Sequence, residues 1–162
     1  RVNPMTGEIF NANIRLGDQL TRITRMLTDV AVPQASAAYH EHGPDCGHWQ
    51  ALQASAAALA LAEAQGPLTE EEKKRFVGEL LTQISAHETG HTLGLRHNFE
   101  GGSLHPLNEV GKDGLVSSSL MHYVPPNLAP SGQKQGIYYQ TQVGPYDRMG
   151  HRVRLQAGGG KR

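Results

Sequence analysis

His87-Glu88-Thr89-Gly90-His91-Thr92-Leu93-Gly94-Leu95-Arg96-His97 decides how the rest of this chain is read. On a helix, residues four apart lie on one face a turn apart, so His87 and His91 present two imidazoles side by side. Two neutral ring nitrogens at that spacing suit one Zn²⁺, which binds His nitrogen at about 2.0–2.1 Å. Glu88 places a carboxylate where it can reach a water activated at the metal without ligating the metal itself. Gly94 lets the chain leave the helix through the left-handed conformation, and His97 then returns as a third ligand. Three protein ligands with a fourth position kept for water is the pattern of a catalytic zinc, not of a structural one. The competing reading is a His-rich helix end whose rings are solvated or cap carbonyls. With nine His in the chain, HExxH alone is weak support for the metal, and Gly94 and His97 are what make the pattern specific.

The residues upstream predict a rigid element for these ligands. Thr69 and Glu72 form a capping box, and Phe76, Leu80, Leu81 and Ile84 make a buried stripe that runs into His87 and His91. Before it, the alanine-rich run Trp49 to Gln65 favours helix, with Leu52, Ala56, Leu59 and Glu63 on successive turns, and Gly66-Pro67 ends it. Asp18 caps a further helix to about Asp29, carrying Leu20, Ile23 and Leu27, which Val32-Pro33 closes. At the start, Asn3-Pro4-Met5-Thr6-Gly7 signals a turn. Phe10, Ala12, Ile14 and Leu16 then alternate with polar residues, as in a half-buried strand. One strand cannot make a sheet, so part of the sheet is expected to lie upstream or in another segment.

A second element accompanies the histidines. Ser117-Ser118-Ser119-Leu120-Met121-His122-Tyr123 resembles the Met-turn of the metzincin metalloendopeptidases, and Ser119 to Tyr123 is especially similar to its astacin form. Leu95 and Asn98 depart from the astacin pattern, which has an aromatic residue and Glu there. Thr6-Gly7-Glu8-Ile9, His87 to Phe99, Met121-His122-Tyr123 and Gly144-Pro145-Tyr146-Asp147-Arg148 resemble bacterial zinc-dependent metalloproteases, many of which carry Asp where this chain has His122. The resemblance implies an α+β, metzincin-like fold, with a small sheet, an active-site helix and a loop-rich C-terminal subdomain, the sheet being incomplete in this chain. Residues 1–149 would be the catalytic domain and 150–162 a flexible Gly-rich basic tail.

The resemblance further implies a zinc endopeptidase. His87, His91 and His97 would hold Zn²⁺, Glu88 would act as general base, Met121 would pack beneath the metal, and Tyr123 would stabilise the tetrahedral intermediate. The substrate would be a peptide or protein, and the location secreted, periplasmic or cell-surface. In matrixins a propeptide cysteine acts as a thiolate latch on the zinc. A catalytically silent zinc-binding interaction module or an inactive protease fragment is the alternative function, and a non-protease zinc hydrolase a third.

Composition excludes other classes. Fifteen basic and fifteen acidic residues leave no net charge, which gives no attraction to nucleic acid or an anionic membrane. The longest apolar run, within Ala51–Ala64, is too short and polar-interrupted to span a bilayer. The single Cys46 rules out an intrachain disulfide. Around it, His40, His42, Cys46 and His48 offer a second metal site, a cysteine latch on the zinc, or simply a solvated loop. Arg1 is not an initiator Met and no signal peptide is present, so a processed or excised segment is expected. From Asn98 to Ser118 the chain reads as polar loop, His105 included. Pro125-Pro126-Asn127 would form a cleft wall. Tyr138, Tyr139 and Thr141, in a β-like run over Gly136 to Val143, either line the same pocket or pack in the interior.

Overall fold

Thr69 opens the element that everything else is built on. Its hydroxyl accepts the Glu72 N–H at 3.2 Å, while the Glu72 carboxylate accepts the Thr69 N–H at 2.9 Å. Two N–H groups that a helix start leaves without partners are thereby satisfied. These bonds hold the Glu72 carboxyl below its usual pKa. Glu70, Glu71 and Glu72 set three acidic residues against the helix dipole. Helix α1 then runs from Glu70 to Thr92, 23 residues or about 34 Å. The computed structural model describes residues 3–6, 8–14, 54–55, 57–62, 64 and 66–149. The expected helix at Asp18–Asp29, the His40–His48 cluster, and the tail from 150 onward lie outside them.

The core forms along one side of α1. Phe76 and Leu80 are buried against Leu59, Tyr138 and Tyr139, with Leu68, Val77, Leu81, Ile84 and Leu128 packed around them. The expected stripe is therefore present, fully covered at Phe76 and Leu80 and partly at Leu81 and Ile84. Phe76 meets both tyrosines edge-on, at ring-centroid distances of 5.0 and 5.3 Å. Leu59 comes from the alanine-rich run, which is helical at residues 57–62. Ser55, from the same run, is fully buried and accepts the Tyr139 hydroxyl at 2.6 Å. Burial pushes that phenol's pKa up.

Tyr138 and Tyr139 thus pack in the interior, which decides between the two roles open to them. Residues 136–143 are irregular, so the β-like run is corrected. The Glu79 carboxylate on α1 takes the two backbone N–H groups that a neighbouring strand would otherwise satisfy, from Tyr138 at 2.6 Å and Tyr139 at 3.0 Å.

The N-terminal strand is corrected over its described part. The turn forms, closed by Asn3 N–H donating to Glu8 C=O at 2.8 Å. Residues 10–14 join no ladder, and Phe10 and Ile14 are 64% and 39% exposed. Alternation supplies an apolar face but does not by itself set a ladder. Among the described residues there is no strand of several residues: apart from a single bridge residue at Ile9 they form helix, 3₁₀ turn, bends and irregular loop. No helix there is long and apolar enough to cross a membrane.

Candidate metal centre

The end of α1 is built by its own sequence. Leu93 caps the helix, and Gly94 takes φ 83°, where a Cβ would be strained. Gly94 N–H donates to His91 C=O at 2.8 Å and Leu95 N–H to Gly90 C=O at 2.9 Å. This is the paired Schellman arrangement, and it turns the chain back beside its last helical turn. The reversal brings Leu95 C=O to 3.0 Å from His91 Nδ1. One local motif therefore ends the helix and orients a histidine.

Three rings converge there. His87, His91 and His97 each offer a ring nitrogen, and these atoms lie within 4.8 Å of one another. His87 is buried, while His91 and His97 are partly buried. A carbonyl only accepts, so His87 Nδ1–H donates to Leu120 C=O at 2.7 Å and His91 Nδ1–H to Leu95 C=O. In each ring the remaining Nε2 is then a lone pair. His91 Nε2 and His97 Nε2 stand 3.0 Å apart. Two His nitrogens bound tetrahedrally to one Zn²⁺ are about 3.3 Å apart, so the separation fits zinc with a shift of a few tenths of an ångström. A cation between the rings satisfies all three nitrogens at once, and these residues could hold a metal.

Burial lowers the His97 pKa, and the neighbouring His91 lowers it further, against an opposing pull from Glu88. A lowered pKa favours the neutral ring, the form in which an imidazole nitrogen can bind a metal. Glu88 is partly buried one position after His87. Tyr123 closes another side, its hydroxyl oxygen within hydrogen-bond distance of His97 Nε2 at 2.6 Å, its ring 5.1 Å from His87 and 4.5 Å from His97.

Met121 packs against the last turns of α1. It is 1% exposed and presses against Gly90, the helix residue between His87 and His91; a Cβ on Gly90 would stand 3.4 Å from Met121 Cε and closer still to Sδ. Only glycine lets helix and turn approach this closely. The turn is pinned from several sides. Asn98 N–H donates to Met121 C=O at 3.1 Å, and Ser118 N–H to Gly101 C=O at 2.9 Å. The Gln140 side chain accepts the N–H groups of Val116 and Ser117, both at 2.8 Å. His122 lies against Gly101 and Gly102, with Nδ1 3.2 Å from Ser117 Oγ, and burial lowers its pKa.

Several participants were not singled out from the sequence. Asp147, in the short helical turn at residues 145–149, is buried and accepts from Ser119 Oγ–H, Leu120 N–H and Gly144 N–H. The Gly144 to Arg148 run entered only as part of the resemblance, which does not say where the Asp147 carboxylate goes. Phe99, 71% exposed, sits edge-on to His97 at 5.8 Å. His105 stays outside the triad, as expected for a loop residue, with Nε2 3.1 Å from the Asp113 carboxylate.

The sequence profile of a family described as Met-zincin matches residues 69–150, just over half of the chain, from the cap of α1 to the residue after Met149. No curated protein and no solved structure matches the chain.

Proposed function

The chain belongs to the Met-zincin family, and from that premise we propose that it is a zinc-dependent endopeptidase. The observation that carries the reading is the convergence of the His87, His91 and His97 ring nitrogens within 4.8 Å, with Glu88 beside them. A bound zinc supplies Lewis acidity, polarising a carbonyl oxygen and lowering the pKa of water toward about 7. His87, His91 and His97 would hold it through their ring nitrogens. Glu88 takes the proton of the attacking water as the C–O bond forms, then delivers it to the leaving amine as the C–N bond breaks. Tyr123, whose hydroxyl reaches the His97 edge, donates to the developing oxyanion. Met121 supports the ligands from below through Gly90.

The test is Glu88→Gln, which keeps the shape and removes the base. Zinc content by elemental analysis stays at that of the parent, while cleavage of a quenched-fluorescence peptide falls by about 10²–10⁴-fold. Parent-level cleavage by Glu88→Gln refutes the role of Glu88. Stoichiometric zinc in the parent with no chelator-sensitive cleavage refutes the peptidase and leaves a zinc-binding module.

A further inference from the structure

We infer that Ser119 and Asp147 are positioning residues for the first zinc ligand, terminating a one-way hydrogen-bond chain that starts at the His87 ring. The inference rests on the zinc-site reading above but needs no catalysis. His87 Nδ1–H donates to Leu120 C=O at 2.7 Å. The N–H of that same peptide unit, on Met121, donates to Ser119 Oγ at 3.0 Å. Ser119 Oγ–H donates to Asp147 Oδ1 at 2.5 Å. The direction is forced at each link. A carbonyl cannot donate, a peptide N–H cannot accept, and the single hydroxyl proton goes to the carboxylate while an oxygen lone pair takes the Met121 N–H.

The other carboxylate oxygen, Asp147 Oδ2, accepts Leu120 N–H at 2.8 Å and Gly144 N–H at 3.1 Å, which fixes the turn on both sides of the chain. Every member is buried: His87 is 2% exposed, Ser119 1%, Leu120 6%, Met121 1% and Asp147 4%. Successive bonds pointing one way polarise one another, and more so away from water.

A carboxylate bonded directly to a zinc-ligating His fixes its tautomer and raises its basicity. In this chain a hydroxyl and a peptide group carry the same influence across two intervening links. The consequence is that the proton stays on His87 Nδ1, leaving Nε2 as the lone pair aimed at the metal. A purely structural Asp147, serving as turn staple and helix cap, would act through Leu120 N–H and Gly144 N–H alone, independently of the Ser119 hydroxyl.

Two variants of the full chain separate these roles. Ser119→Ala removes the middle link and leaves the Asp147 bonds to Leu120 and Gly144. Asp147→Asn keeps an oxygen for those two N–H groups but turns an amide donor toward Ser119 Oγ, breaking the chain at its last link. Zinc affinity, read by competition with a chromophoric chelator, falls about 10–100-fold in each. The double variant loses no more than the weaker single, because both cut one path. Single variants within threefold of the parent, or losses that multiply in the double, overturn the inference.

If a variant does not fold, ¹⁵N NMR of the metal-free parent decides instead. His87 must be the Nδ1–H tautomer with a slowly exchanging ring proton, and an Nε2–H tautomer refutes the chain. A parent that binds zinc without cutting peptides refutes the peptidase, while an Nε2–H tautomer refutes the relay whatever the cleavage result. A parent that binds no zinc refutes the metal reading, and the tautomer still decides the relay.

Discussion

The packing of Gly90 on Met121 makes a quantitative prediction. Gly90→Ala places a methyl in van der Waals overlap with Met121 Sδ, at 3.4 Å from its Cε and 3.6 Å from Leu95 Cδ1. In a helix interior, Ala is favoured over Gly by about 0.8–1.0 kcal/mol. Against that, overpacking a buried contact costs about 1–3 kcal/mol. Met121 is 1% exposed, so its side chain has little room to retreat. The net effect runs from near zero to about 2 kcal/mol of destabilisation. Met121→Ala deletes the obstructing atoms and alone costs about 2–5 kcal/mol through the cavity it leaves. In that background the new methyl meets only Leu95 at an ordinary distance, and Gly90→Ala stabilises by about 1 kcal/mol. The two backgrounds thus differ by a coupling of about 1–3 kcal/mol. Urea denaturation with excess chelator reads it as a shift in midpoint at constant m-value. Equal effects in the two backgrounds, within about 0.5 kcal/mol, refute the contact and with it the placing of Met121 as the floor of the site.

Two further predictions test the core and the titrating groups. Phe76→Ala removes the ring that meets both tyrosines and costs about 3–5 kcal/mol, and a loss below about 1 kcal/mol in urea denaturation contradicts its central place. Desolvation lowers the His97 and His122 pKa values below the ordinary 6.5. As pH falls through 6.5 the unfolded chain takes up protons that the folded chain resists, so stability present at pH 7.5 is lost toward pH 5.5. The melting temperature of the metal-free protein therefore drops over that interval, and less so in His122→Gln. A flat or rising melting temperature contradicts the shifts.

The metal-binding constellation was legible because its parts are local. His87 and His91 share a face by helical period, Gly94 supplies the positive φ, and His97 follows within three residues. The capping box of Thr69 and Glu72 is equally local, since its partners are three positions apart. Met121 was legible only through resemblance, because its contact with Gly90 joins residues far apart in sequence. Alternation from Phe10 to Leu16 was not enough to place a strand, as residues 10–14, the described part, are irregular. Tyr138 and Tyr139 were equally compatible with a pocket and with the interior. The Phe76 ring and the Glu79 carboxylate on α1 draw them inward.

By itself, then, the sequence determined the helix, its cap, its end and the three imidazoles, because 3.6-residue periodicity and backbone sterics act within a few residues. Tertiary structure alone decided what stands behind those imidazoles. Leu120 C=O orients His87 from 33 positions away, and Asp147 holds Ser119 across 28. Buried polar atoms must find partners wherever the folded chain brings them, and no spacing rule announces which those will be.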